Sequence, residues 1–69
     1  MIKEKDRVIV DLEIYEKVKE FGNQNEIISR TKNGMKATVI FHNNKRGYAT
    51  IQFDDNFYCG IDTQALKII

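Results

Sequence analysis

The chain has 69 residues, 42% of them apolar and 30% charged, which gives one domain with one modest core. That length excludes the doubly wound sheet and the eight-unit strand–helix barrel, and ten isoleucines with seven aromatics argue against disorder. Eleven basic and ten acidic side chains leave a net charge of +1, so the chain as a whole is neither a polycation nor an acidic mimic.

The single cysteine, Cys59, allows no internal disulfide and points to a reducing cytosol. The start, MIKEKDR, is charged from its third residue and does not read as a signal peptide. The longest apolar runs, such as Val8 to Val10 and Val39 to Phe41, are three residues, against the roughly 20 that span a bilayer. No membrane partner is expected.

In chain order, Arg7 to Val10 is a β-branched run and reads as a strand. Asp11 is the expected N-cap of an amphipathic helix over about 12–21. Ile14, Val18 and Phe21 fall on its apolar stripe, and Gly22 is its expected left-handed C-cap. Glu26 to Thr31 reads as a short strand around Ile27 and Ile28. Lys32-Asn33-Gly34 reads as a tight hairpin turn. Met35 to Phe41 alternates, with Met35, Ala37, Val39 and Phe41 on one side and Lys36, Thr38, Ile40 and His42 on the other. NNKRG (43–47) is a second turn. Tyr48 to Asp54 alternates again, with Ala49, Ile51 and Phe53 on one face. Asp55-Asn56 turns the chain, Phe57 to Ile61 is a strand, Asp62-Thr63-Gln64 suits one tight helical turn, and Leu66 to Ile69 closes the chain. Five to six short strands with tight turns and one inserted helix predict a mostly β, α+β fold: one domain over 1–69, curled into a small barrel because so small a sheet otherwise exposes its edges.

The strand motifs carry a resemblance. DRVIV (6–10), GMKATVI (34–40), YATIQFDD (48–55) and DTQALKII (62–69) resemble the opening, second, third and closing segments of the Src-homology-3-like small barrels of prokaryotic and phage proteins. The resemblance covers about two thirds of the chain and makes the 12–21 helix an insertion after the first strand. It implies the barrel fold and leaves function open, because such barrels host many functions. A second similarity spans 33–56: NGMKATVI, then NNKR, then a strand ending FDD, is similar to a DNA-contacting module found beside phage homing endonucleases. The chain departs from that module after Asn56, where DTQALKII replaces a basic tail. A phage source would place the protein in the cytoplasm of a bacterial host cell.

Catalytic chemistry is poorly supplied. Cys59 falls with Phe57 and Ile61 on an apolar face, and His42 ends a strand at a turn. Asp54 and Asp55 are adjacent, so in a strand they point to opposite faces. The four glycines are isolated and form no phosphate loop, and one His with one Cys is too few ligands for a metal. Neither an enzyme, a cofactor nor a metal is expected.

Charge distribution is more informative. Residues 21–47 carry Arg30, Lys32, Lys36, Lys45 and Arg46 against Glu26 alone, a local +4. These five cations, expected to form one basic stripe on the barrel, with Tyr48 to stack on bases, are the nucleic-acid-binding set of a non-catalytic, DNA-binding module. The alternative is a phage-encoded protein that binds and inhibits a host protein such as a defence nuclease. It would dock through the acidic helix and its tyrosines: Glu13, Tyr15, Glu16, Glu20 and Tyr58.

Overall fold

The computed structural model describes residues 2–19, 23–43 and 45–69. Strand β1 (Arg7–Val10) buries Val8 and Val10 and leaves Arg7 exposed, as alternation along a half-buried strand requires. Asp11 ends the strand. Its backbone is extended, its Oδ1 accepts the Ile14 N–H at 3.2 Å, and helix α1 (Leu12–Val18) starts there. The Lys19 N–H donates to the Tyr15 carbonyl and closes the last turn. The helix is thus shorter than the 12–21 span predicted; Glu20, Phe21 and the expected cap Gly22 lie outside the described residues.

Helix α2 (Gln24–Lys32) replaces the strand predicted at 26–31. Glu26 and Arg30 are one turn apart and ion-paired, and Ile27 points into the core. A single well-buried isoleucine outweighs the weak strand preference of Ile27 and Ile28. Asn33-Gly34 is accordingly the end of a helix and not a hairpin. Gly34 takes φ +73°, its N–H reaches the Thr31 carbonyl at 3.0 Å, and the Met35 N–H reaches the Arg30 carbonyl at 3.0 Å. That pair of bonds is a Schellman motif, which needs the same left-handed residue as a tight hairpin does.

Strands β2 (Lys36–Asn43), β3 (Tyr48–Phe53) and β4 (Tyr58–Asp62) form an antiparallel meander. A 3-10 turn over Thr63–Ala65, capped by Asp62, leads to β5 (Leu66–Ile68), which returns to pair with β1. The strand order is β4-β3-β2-β1-β5. Among the described residues no ladder joins β4 to β5, so the five-stranded sheet is not closed. The fold is β-rich α+β, with two helices where one was predicted.

One hydrophobic core lies between the helices and the inner face of the sheet. Phe53, Ile27, Ile51, Ile61, Val8 and Val39 are its largest fully buried side chains, and Tyr15 of α1 joins them. The inner face keeps its alternation until Val39. Val39 pairs with Ile51, but Phe41 pairs with Thr50, so Ile40 is an extra residue, a β-bulge. Beyond it the parity reverses. Phe41, predicted inward, stands on the outer face with 53% exposure, and His42 turns to the inner side opposite Ala49, half-buried in a strand and not in a solvated turn.

Candidate nucleic-acid interface

The five predicted cations divide into two kinds. The first kind is Arg30 alone. Its Nε donates to Asp55 Oδ2 at 2.8 Å, its Nη1 donates to Glu26 Oε2 at 2.8 Å and to the Glu26 carbonyl at 3.1 Å, and its guanidinium lies 4.1 Å from the Phe57 ring centroid. Two carboxylates and an aromatic face satisfy this group, and the hydrogen bond to Glu26 raises its pKa further. Arg30 ties α2 to the turn between β3 and β4, and its charge is spent inside the protein.

Lys32, Lys36, Lys45 and Arg46 are the second kind: exposed, and joined to no ion pair among the described residues. Lys32 closes α2 and Lys36 opens β2. Lys45 and Arg46 sit in the turn after β2, whose shape is set by Asn43 Oδ1 accepting both of their backbone N–H groups, at 3.1 and 3.2 Å. Lys36 and the turn of Lys45 and Arg46 therefore stand at opposite ends of β2, which is about 23 Å long at roughly 3.3 Å per residue. They form two stations and not one stripe. At the Lys36 end Arg7 is engaged by Asp54, with Nη1–Oδ1 at 2.7 Å and Nη2–Oδ2 at 2.9 Å, and Arg7 holds that carboxyl below its ordinary pKa.

Between the stations lies the outer face of β2, β3 and β4. Register places Phe41, Thr50 and Gly60 in one row, Thr38, Gln52 and Tyr58 in the next, and Asn43, Tyr48 and Asp62 in a third. Phe41 is 53% and Tyr58 55% exposed, and Ile40 on the bulge is exposed as well. Tyr48 is half-buried and lines a cleft of about 320 Å³ with Phe41, Asn43, Thr50, Gly60 and Asn23, the residue before α2. Tyr48, the expected stacking residue, thus lies on the outer face, and Phe41, Asn23, Thr50 and Gly60 beside it were not among the predicted residues. Phe41 sits in the run Val39-Ile40-Phe41. That run does not by itself announce a bulge, because Val8-Ile9-Val10 has the same pattern and pairs in unbroken register.

Among the described residues the alternative docking set does not share one surface. Tyr15 is 3% exposed, lies in the core, and burial raises its phenol pKa. Glu13 is exposed on α1, Glu16 accepts from Lys19 Nζ at 2.9 Å, Tyr58 stands on the far side of the sheet from the helices, and Glu20 lies outside the described residues. Burial pushes the Cys59 thiol up to about 11, so at neutral pH it stays protonated and inert as a nucleophile. Among the described residues no group of three His, Cys, Asp or Glu side chains is placed to hold a metal ion, and no helix is long and apolar enough to cross a membrane. Comparison of the chain with protein-family models, curated proteins and solved structures found no match.

Proposed function

We propose that this chain is a non-catalytic module of Src-homology-3-like topology that binds single-stranded nucleic acid across the outer face of its sheet. The topology is supported by the strand order, the long first connection that carries both helices, and the 3-10 turn between the last two strands. The observation that carries the binding reading is the outer face itself. Exposed Phe41 and Tyr58, with Tyr48 beside the cleft, lie on the sheet between Lys36 at one end of β2 and Lys45 and Arg46 beyond the other, cations in no ion pair among the described residues. Aromatic rings stack on any unpaired base, and lysines or arginines at both ends meet the phosphates before and after the stacked bases. A duplex hides its base faces, which makes the single strand the better match to an aromatic surface.

The test is affinity for short single- and double-stranded DNA and RNA over a salt series. The single strands are expected to bind more tightly, with affinity falling steeply as salt rises. The double variant Lys45→Glu/Arg46→Glu is expected to lower the slope of log K against log salt by about 1.4, at roughly 0.7 per lost phosphate contact. Arg30→Gln leaves the slope unchanged. Negligible binding at low salt, or binding indifferent to salt, would remove nucleic acid as the ligand.

One observation favours a protein partner as the second reading: Ile40, Phe41 and Tyr58 are exposed anchors of the kind found at protein interfaces. Such a partner would be lost on Tyr58→Ala and keep its affinity in the Lys45→Glu/Arg46→Glu variant.

A further inference from the structure

Gly60 lies in the interior of β4, on the outer face, opposite Thr50. Its backbone is not left-handed, and a Cβ placed on it would meet nothing within 4 Å. Neither backbone conformation nor crowding among the described residues asks for glycine there. A glycine inside a strand weakens it, through lost backbone entropy and a missing side chain, and often marks a place where a ligand approaches the backbone closely. What a side chain at position 60 would remove is the open space above it, which is the cleft lined by Phe41, Tyr48 and Thr50.

The polar lining tells what that space suits. Asn23 occupies the N-cap position of α2, its side chain makes no capping hydrogen bond, and the residue is part of the cleft lining. Asn43 uses its Oδ1 on the Lys45 and Arg46 N–H groups, and among the described residues its NH2 makes no hydrogen bond. An amide offers a donor and an acceptor side by side, the pattern that pairs with the edge of a base. A volume of about 320 Å³ is at the small end of ligand sites, enough for one flat ring system. The unpaired cations Lys45 and Arg46 follow Asn43 directly in the adjoining turn.

We propose that this cleft is a subsite for one unstacked base of the bound strand. The ring lies over Gly60 against Phe41 and Tyr48, its edge meets the amides of Asn23 and Asn43, and its phosphate is directed towards Lys45 and Arg46. This deepens the single-strand reading and rests on it for the phosphate contacts alone. The base contact is a property of the cleft and is tested without phosphate.

Two measurements decide it. Free nucleosides, which carry no phosphate, are titrated into the 15N-labelled chain. Amide shifts concentrated at Gly60, Thr50, Phe41 and Asn23 are expected, and N-acetyltyrosinamide is expected to give none. The second measurement is the affinity of Gly60→Val for a short single strand. The valine suits a strand, so the melting temperature is expected to be no lower than that of the unaltered chain. Affinity is expected to fall roughly tenfold or more with the salt slope unchanged, because a stacked base is lost while the phosphate contacts remain. Salt-steep strand binding that Gly60→Val leaves intact would overturn the subsite and leave the nucleic-acid reading standing. Nucleoside shifts at Gly60 without salt-steep strand binding would uphold the subsite and sink that reading. No nucleoside shift at Gly60, or a shift there with tyrosinamide only, would overturn the subsite whatever Gly60→Val does.

Discussion

The guanidinium of Arg30 sits in a fork of two carboxylates with the Phe57 ring beneath it, and only 17% of its side chain remains exposed. In the sequence it is one of five cations in a +4 segment and indistinguishable from the other four. The partners that set it apart are Glu26, one turn back on the same helix, and Asp55, 25 residues further on and brought close by the turn between β3 and β4. Composition counts charge; it does not pair it. Arg30→Ala is therefore expected to lower the melting temperature and leave nucleic-acid affinity unchanged. Arg30→Lys is expected not to restore stability, because an ammonium cannot donate in two directions while lying flat on a ring. Thermal unfolding of the two variants beside a binding titration checks both halves. A drop in affinity with intact stability would contradict this placement of Arg30.

Among the elements, the strands were legible and the second helix was not. Alternation found the inner face of β3 correctly, because Ala49, Ile51 and Phe53 are all buried. Asp11 as an N-cap and Asp62 at the 3-10 turn were legible for a local reason: each carboxylate accepts a backbone N–H two or three residues on. Helix α2 was missed because its amphipathicity is slight, with Ile27 as its one buried residue, and because Asn-Gly serves a Schellman ending as well as a hairpin. The outward placement of Phe41 was hidden by the bulge at Ile40, since one extra residue reverses the face of the rest of β2. Phe41→Ala separates the two registers. On the outer face the substitution is expected to change stability by no more than about 0.5 kcal/mol. A Phe41 pointing inward, as simple alternation predicts, would cost about 3–5 kcal/mol on truncation. Denaturant unfolding of the variant distinguishes these values, and the same protein is expected to bind single strands several-fold more weakly.

At the scale of the whole molecule, two ion pairs stitch distant segments together and set the response to pH. Lys67 of β5 reaches Asp11 Oδ2 at 3.0 Å, and Arg7 of β1 holds Asp54 beyond the end of β3. Hydrogen bonds from Lys67 and Arg7 lower the pKa of Asp11 and Asp54 from the ordinary 3.8. A carboxylate whose folded pKa is depressed contributes stability that is fully present above the unfolded value and lost as pH falls through the folded one. Stability from these two groups is thus expected to be constant from neutral pH down to the region of 3.8 and to fall below it. Asp11→Asn/Asp54→Asn is expected to flatten that acid limb, and melting temperatures between pH 2 and 7 check it. An acid limb equally steep in the double variant would show that these pairs do not set it. Charge at this scale also separates roles: the paired cations Arg7, Arg30 and Lys67 hold the fold, and Lys36, Lys45 and Arg46, in no ion pair among the described residues, stand at the two ends of β2. Had the +4 segment been a uniform stripe, it would have suited a duplex backbone. Split into two stations with aromatics between them, it suits a strand with its bases exposed.

The most direct test of binding on the outer face is a map of backbone amide shifts as a short single-stranded oligonucleotide is titrated into the 15N-labelled chain at low salt. The expected map has its largest shifts along Phe41, Thr50, Tyr58 and Gly60, with smaller ones at Lys36, Lys45 and Arg46 and none on the buried faces of α1 and α2. Shifts centred on the helices, or none at any residue, would contradict the placement of the site.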